Sequence, residues 1–395
     1  MPDASARTDR RGLVLVMATA TLVGMTVSLA IPLLSLVLER EGASPWLIGL
    51  NTAAGGLGIF LVAPFVGRLV ERVGVVGCLG GSLTVMALCM LAFPLWVDPG
   101  YWAVVRIVLG SAGSLLFILS EAAVNALAPE HQRGRILGIY ATLFSLGFAA
   151  GPLVLVVAGS EGFLPFALSA ALFALGLVPA LLLRGHADRL MPRGSGTGHR
   201  LLATWRVAPL AMAGVFVYAL LESSQFALLP VWALDAGTSE RTAAALLSVW
   251  LSGNILLQYP IGWLADRWRR ERVMALCVAL AALGQLLVPF LVDAPLLLWP
   301  LLVLLGGTMG ALYTLSLVLV GQRFRGADLT HANTAFVMTF QLGAITGPAY
   351  AGAVMGAAGV ASFPLALVVP LVLLLTSLLL VPRTSAAAVS TVREG

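Results

Sequence analysis

Along the chain, uncharged apolar stretches of roughly twenty residues or more alternate with short segments carrying arginine, acid, glycine or proline, and that length matches a bilayer's hydrocarbon core. Read between those breaks, the pattern predicts twelve helices, over 13–38, 46–67, 75–97, 101–127, 136–158, 163–183, 207–234, 243–265, 273–292, 295–320, 331–356 and 360–381. Each must be helical, because lipid offers no hydrogen bonds to a free backbone. The first stretch follows Arg7, Arg10 and Arg11 as a cleaved signal would. It is longer than a signal's apolar region and leads into another span, so the expectation is that it stays as the first helix.

Composition removes the soluble alternative. With 59% hydrophobic and 10% charged residues, and a mean hydropathy of +0.98, the chain has too little polar surface to coat a globule. All 23 basic residues are arginine. Apart from Arg106 within a span and Arg40 and Arg241 in odd-numbered loops, they fall in the termini and even-numbered loops. The positive-inside rule then predicts cytoplasmic termini. The pI near 9.6 reflects that topology and an affinity for anionic lipid, not nucleic-acid binding. Cys78, Cys89 and Cys277 all lie in predicted spans, and His131, His186, His199 and His331 form no ligand set. No metal, cofactor or disulfide framework is expected. No Walker loop or nucleotide fingerprint is visible, so neither ATP drive nor enzymatic chemistry is expected.

Two short patterns repeat at a common offset. Gly67-Arg68-Leu69-Val70-Glu71-Arg72 returns 195 residues later as Gly262-Trp263-Leu264-Ala265-Asp266-Arg267. Gly147-Phe148-Ala149-Ala150-Gly151-Pro152 returns 196 residues later as Gly343-Ala344-Ile345-Thr346-Gly347-Pro348. The chain therefore reads as two six-helix halves in tandem, 1–183 and 207–395, joined by a polar cytoplasmic linker over 184–206.

These features resemble the major facilitator superfamily. Gly67, Leu69, Arg72 and Gly74 match that family's loop signature between helices two and three, with Glu71 in place of the usual Asp, and the copy at Gly262, Leu264, Ala265, Asp266 and Arg267 is closer still. Arg106 with Gly110 resembles its fourth-helix signature, and Gly147, Gly151 and Pro152 the first part of its fifth-helix antiporter signature, with Leu155 and Val156 where the final glycines would stand. The resemblance implies an all-α membrane protein of twelve transmembrane helices in two pseudo-symmetric halves. It also implies that Gly67, Glu71, Arg72, Gly262, Asp266 and Arg267 form a conformational latch on the cytoplasmic side, with Glu71 and Asp266 biasing one access state. The alternative for these charges is plain positive-inside topology with offsetting acids. The glycine–proline pairs, through Gly147, Gly151, Pro152, Gly343, Gly347 and Pro348, are candidates for close helix packing or hinges.

Ionisable groups inside spans point to the transported chemistry, because burying one is costly unless it meets a partner or water. There are three: Arg106, Glu121 and Glu222. Glu222 heads the run Glu222-Ser223-Ser224-Gln225, with Tyr218 one turn earlier on the same face. The family's seventh helix lines a central cavity, which would place Tyr218, Glu222 and Gln225 there, Glu222 gaining and losing a proton as access alternates. A structural, hydrogen-bonded Glu222 is the competing reading. Glu121 and Asn125 share a face near the cytoplasmic end of span four, in a cavity or a structural role. Arg106 lies too far along that helix to pair with Glu121, so its partner is expected to be a carbonyl or Glu222. By resemblance it joins proton transfer, with anchoring at the outer interface as the alternative.

The reading is a secondary active transporter exporting a small amphipathic or cationic compound, coupled to protons, acting as a monomer in a bacterial inner membrane. Sugar or metabolite transport is the alternative, and a non-transporting receptor or scaffold a third.

Overall fold

The computed structural model describes residues 9–129, 132–185, 201–324 and 327–380. Within them the regular structure is helical throughout, with no strand. The N-terminal part comprises α1 (Arg10–Arg40), α2 (Pro45–Val62), α3 (Val66–Ala92), α4 (Pro99–Leu127), α5 (Arg133–Ala158) and α6 (Leu164–Leu182). A short α7 (Leu201–Val207) precedes α8 (Pro209–Asp235), α9 (Glu240–Arg267), α10 (Arg270–Leu287), α11 (Pro295–Arg323), α12 (Ala327–Ala358) and α13 (Phe363–Leu380). Ten described stretches are long and apolar enough to cross a bilayer. One of them, Pro45–Leu95, holds two spans, and α12 supplies the twelfth.

The helix starts are written locally. Asp9 accepts from the Gly12 amide at 2.9 Å, Asp98 from Tyr101 at 2.7 Å and Ser239 from Thr242 at 3.2 Å, each occupying an amide that its helix leaves free. Pro45 and Pro99 follow Ser44 and Asp98 in the first turn, where a missing N–H costs nothing.

One boundary differs from the sequence expectation. The second span was expected to end at residue 67, with GRLVERVG as a loop. Instead a 3₁₀ turn over Ala63–Phe65 passes into α3, which stays helical as far as Gly74. There φ is 75° and ψ 162°, a conformation closed to ordinary side chains, and the chain reverses into the third span. Arginine and glutamate are good helix formers whose long side chains reach polar surroundings from a helix end, so the charged motif prolongs the span. The C-terminal copy behaves alike, Gly262 to Arg267 forming the last turns of α9.

The six N-terminal spans pack α1 on α5 and α6, α2 on α4, and α3 on α4 and α6. The six C-terminal spans repeat this, with α8 on α12 and α13, α9 on α11, and α10 on α11 and α13. Glycines let these backbones touch. A side chain at Gly147 or Gly151 would strike the Thr21 or Met25 carbonyl of α1, and one at Gly343 or Gly347 the Phe216 or Leu220 carbonyl of α8. The repeated motif thus does the same packing in both places. An unforeseen second set matches it. Gly58 and Gly110 join α2 to α4, through Ser111 and Gly55, while Gly253 and Gly306 join α9 to α11, through Val303 and Trp250.

Across the middle, α2 packs on α12, α5 on α9 and α1 on α8, whereas α4 and α11 form no packed interface. Gly49 meets the Pro348 carbonyl, Gly352 the Pro45 carbonyl and Gly56 the Ile345 side chain, and Phe148 sits edge-on to Phe226 at 4.9 Å. These contacts seal the interface toward the end of the bundle that carries Arg40.

Candidate functional site

Glu222 and Tyr218 are one helical turn apart on α8, and the Tyr218 hydroxyl donates to Oε1 of Glu222 at 2.5 Å. Asn254 of α9 hydrogen-bonds to the same hydroxyl, and its own amide group is seated against Gly310 of α11. Tyr218 is only 5% exposed and Glu222 is half-buried. Around them stand rings from two more helices. Tyr313 of α11 lies 5.5 Å from Tyr218 between centroids, and Phe340 of α12 lies 6.1 Å from Tyr218 and 6.0 Å from Tyr313. Phe336 meets Tyr313 edge-on at 5.3 Å. A carboxylate, two phenols and an amide are thus held inside an aromatic frame.

Tyr313 ties this cluster to the N-terminal half. Its hydroxyl is within electrostatic reach of both Glu222 and Glu121, which belong to opposite halves. Glu121 is exposed, although α4 and α11 do not pack on each other. An exposed carboxylate that also senses a residue of the facing half borders the open space between them. Asn125, its expected companion, donates instead to the Glu121 backbone carbonyl at 3.1 Å, so those two side chains do not form a unit. Gln225 is 1% exposed, and its Oε1 has no hydrogen-bond partner.

Arg106 departs from expectation. Its residue is 4% exposed, Nε and Nη2 make no hydrogen bond, and no described carboxylate lies within electrostatic reach. The anticipated link to Glu222 is not formed. Arg106 instead sits where α4 meets α2, its carbonyl facing Gly55. The close glycine packing of these helices leaves its side chain buried.

The latch residues are separate. Among the described residues neither Glu71 nor Asp266 belongs to an ion pair. Arg267 lies over the Trp263 ring at 3.6 Å, and Gly67 and Gly262 border open space. Sequence reasoning missed the polar link at the opposite end. Arg40 ends α1 and forms an ion pair with Glu240, the first residue of α9. Nη2 of Arg40 also donates to Ser160 Oγ at 2.6 Å, and Ser160 Oγ donates to Oε2 of Glu240 at 2.5 Å. The available signal was that Arg40 is one of two arginines breaking the charge asymmetry of the loops.

Twelve spans packed by one scheme in each half, with a polar cluster deep among the C-terminal helices, describe a membrane-spanning architecture of two matched halves. The family model described as Major Facilitator Superfamily matches residues 16–209 and 211–394. The chain belongs to that superfamily. It is 25% identical over 336 residues to the uncharacterized MFS-type transporter YfkF of Bacillus subtilis (strain 168), covering 83% of this chain and 85% of that one. A second relative, the uncharacterized MFS-type transporter YE1530 of Yersinia enterocolitica, is 25% identical over 331 residues, covering 82% and 84%. Among solved structures, the nucleoside transporter NupG superposes with a TM-score of 0.72 at 16% identity, over 93% of this chain and 97% of its own. A D-xylose-proton symporter gives 0.69 at 15%, over 94% and 97%. At such identities the likeness establishes the fold alone. The protein is a multi-pass major facilitator superfamily transporter of the membrane and not an enzyme, so its site residues are those that bind and release a small-molecule cargo.

Proposed function

We propose that this transporter exports a small amphipathic or cationic organic compound in exchange for protons, by alternating access of the halves 1–183 and 207–395, as a monomer in the inner membrane of a bacterium. The observation that carries the reading is the Glu222 carboxyl, held by Tyr218 at 2.5 Å within an aromatic frame of the C-terminal half whose Tyr313 comes within electrostatic reach of Glu121 in the other half. A carboxyl in apolar surroundings exchanges its proton according to its exposure to water, and a change of access alters that exposure. The arginine distribution supports the Arg40 end as the outer one, and the packing of the halves at that end fits an inward-facing conformation. The unpaired latch acids fit that state, since Glu71 and Asp266 would engage only when the cytoplasmic ends close.

Proteoliposomes loaded with a pH dye and challenged with lipophilic cations, antibiotics, sugars and small acids test the reading. A compound-specific pH change is expected in the wild type and is lost in Glu222→Gln. Tracer flux without proton movement, or equal proton movement by both proteins, would sink the coupling role. A response confined to sugars would replace the cationic cargo with a neutral one.

A further inference from the structure

We propose that Glu121 anchors the positive group of an organic cation, and that Phe117 and Phe144, backed by Tyr140, form the wall on which the cation's apolar body rests. This deepens the export reading by separating a cargo acid from the proton-carrying Glu222.

Glu121 is exposed, and its carboxylate accepts no hydrogen bond from any described side chain. No described cation lies within electrostatic reach of it. It faces the space between the halves, since Tyr313 across the cleft senses it. The carboxylate of Glu222 differs in exposure and in hydrogen bonding, being half-buried and engaged by Tyr218.

The surroundings of Glu121 are aromatic. Phe117 lies one turn before it on the same face of α4 and meets Phe144 of α5 edge-on at 5.8 Å. Tyr140 is within electrostatic reach of Glu121, and its hydroxyl is fixed 3.1 Å from Ser120 Oγ. Its ring stacks on Phe144 at 6.5 Å, and Phe144 stacks on Phe148 at 5.8 Å. Ser120 Oγ bonds both the Phe117 carbonyl and the Tyr140 hydroxyl, and Tyr140 is only 7% exposed, so this wall offers the ring faces of Phe117 and Phe144 and few free hydrogen-bonding groups.

A carboxylate with no described counter-ion, set beside π faces, is the chemistry that recognises ammonium and phosphonium groups. It repels anions, and it leaves a polyhydroxylated solute with most of its hydrogen bonds unmade. The cargo class that fits is a monovalent lipophilic cation with aromatic or alkyl bulk.

The test is equilibrium binding to the full-length protein in detergent, without any proton gradient, using labelled tetraphenylphosphonium and the uncharged triphenylphosphine oxide. Glu121→Gln should weaken tetraphenylphosphonium at least about tenfold and shift the neutral ligand by less than about twofold, with Glu121→Asp restoring most of the cation affinity. Unchanged cation binding in Glu121→Gln overturns the assignment. So does an equal loss of both ligands that Asp does not rescue, since that pattern belongs to a structural residue. A wild type that binds neither cation nor neutral ligand overturns it as well, while a pH change lost in Glu222→Gln would leave the coupling reading intact. Conversely, a charge-selective Glu121 with proton movement insensitive to Glu222→Gln keeps this inference and removes the other.

Discussion

Tyr218 and Arg106 are both polar side chains deep in apolar helices, and they meet burial in opposite ways. Tyr218 shares its hydroxyl between Glu222 and Asn254, so removing that hydroxyl leaves two groups short of a partner. A hydrogen bond to a charged group is worth about 1.5–3 kcal/mol, so under the proposed coupling Tyr218→Phe should slow transport by roughly tenfold or more. Binding of a neutral cargo should hardly change in the same variant, as the ring is kept. Arg106 has two orphaned nitrogens and no acid in reach. A lone buried charge carries its desolvation cost with no partner to offset it, so an apolar side chain of like length removes that cost. Arg106→Met is therefore expected to leave the thermal unfolding midpoint in detergent unchanged or raised. If transport is lost in a variant that unfolds no earlier, the guanidinium serves another access state; a lowered midpoint would show that it holds this one.

At the scale of elements, glycines divide into those that set helix spacing and those that do not. Gly110 faces the Gly55 carbonyl, which is backbone and cannot rotate away, whereas Gly262 has nothing within 4 Å of where a methyl would go. Gly110→Ala should cost about 1–3 kcal/mol as overpacking, read as a lower unfolding midpoint, while Gly262→Ala should be silent. The same division shows what the sequence made legible. Apolar run length gave the spans, because a bilayer imposes one length on all of them. Gly147 and Gly343 were visible as a repeated motif, and their shared packing follows from it. Gly58 and Gly253 carry no motif around them, and a lone glycine in an apolar run looks alike whether it faces lipid or a helix. Tyr218 and Glu222 could be paired from their spacing, but Tyr313, Phe336 and Phe340 joined them only through tertiary packing, which no local pattern encodes. Arg106 misled because a charge in a span suggests a partner, and here none of the described residues provides one.

For the whole molecule, the closed end rests on few polar contacts. Arg40 and Glu240 are each about a third exposed, so their ion pair contributes on the order of 1 kcal/mol, a roughly fivefold bias between access states. Arg40→Glu or Glu240→Arg alone should shift the population toward the form open at the Arg40 end by about that factor, and the double exchange should restore it. Spin-label distances across the Arg40 end would report the change. Equal distances in all four proteins would assign the seal to the apolar contacts of Phe148, Phe226 and Gly49 instead.

The backbone-to-backbone seams at Gly58, Gly110, Gly253 and Gly306 lie wholly inside one half or the other. Each half therefore carries its own fastening, independent of the peptide that connects them. Two separately encoded polypeptides, divided between residues 185 and 201, should find each other in the membrane and reconstitute transport, as a lock rebuilt from two intact plates.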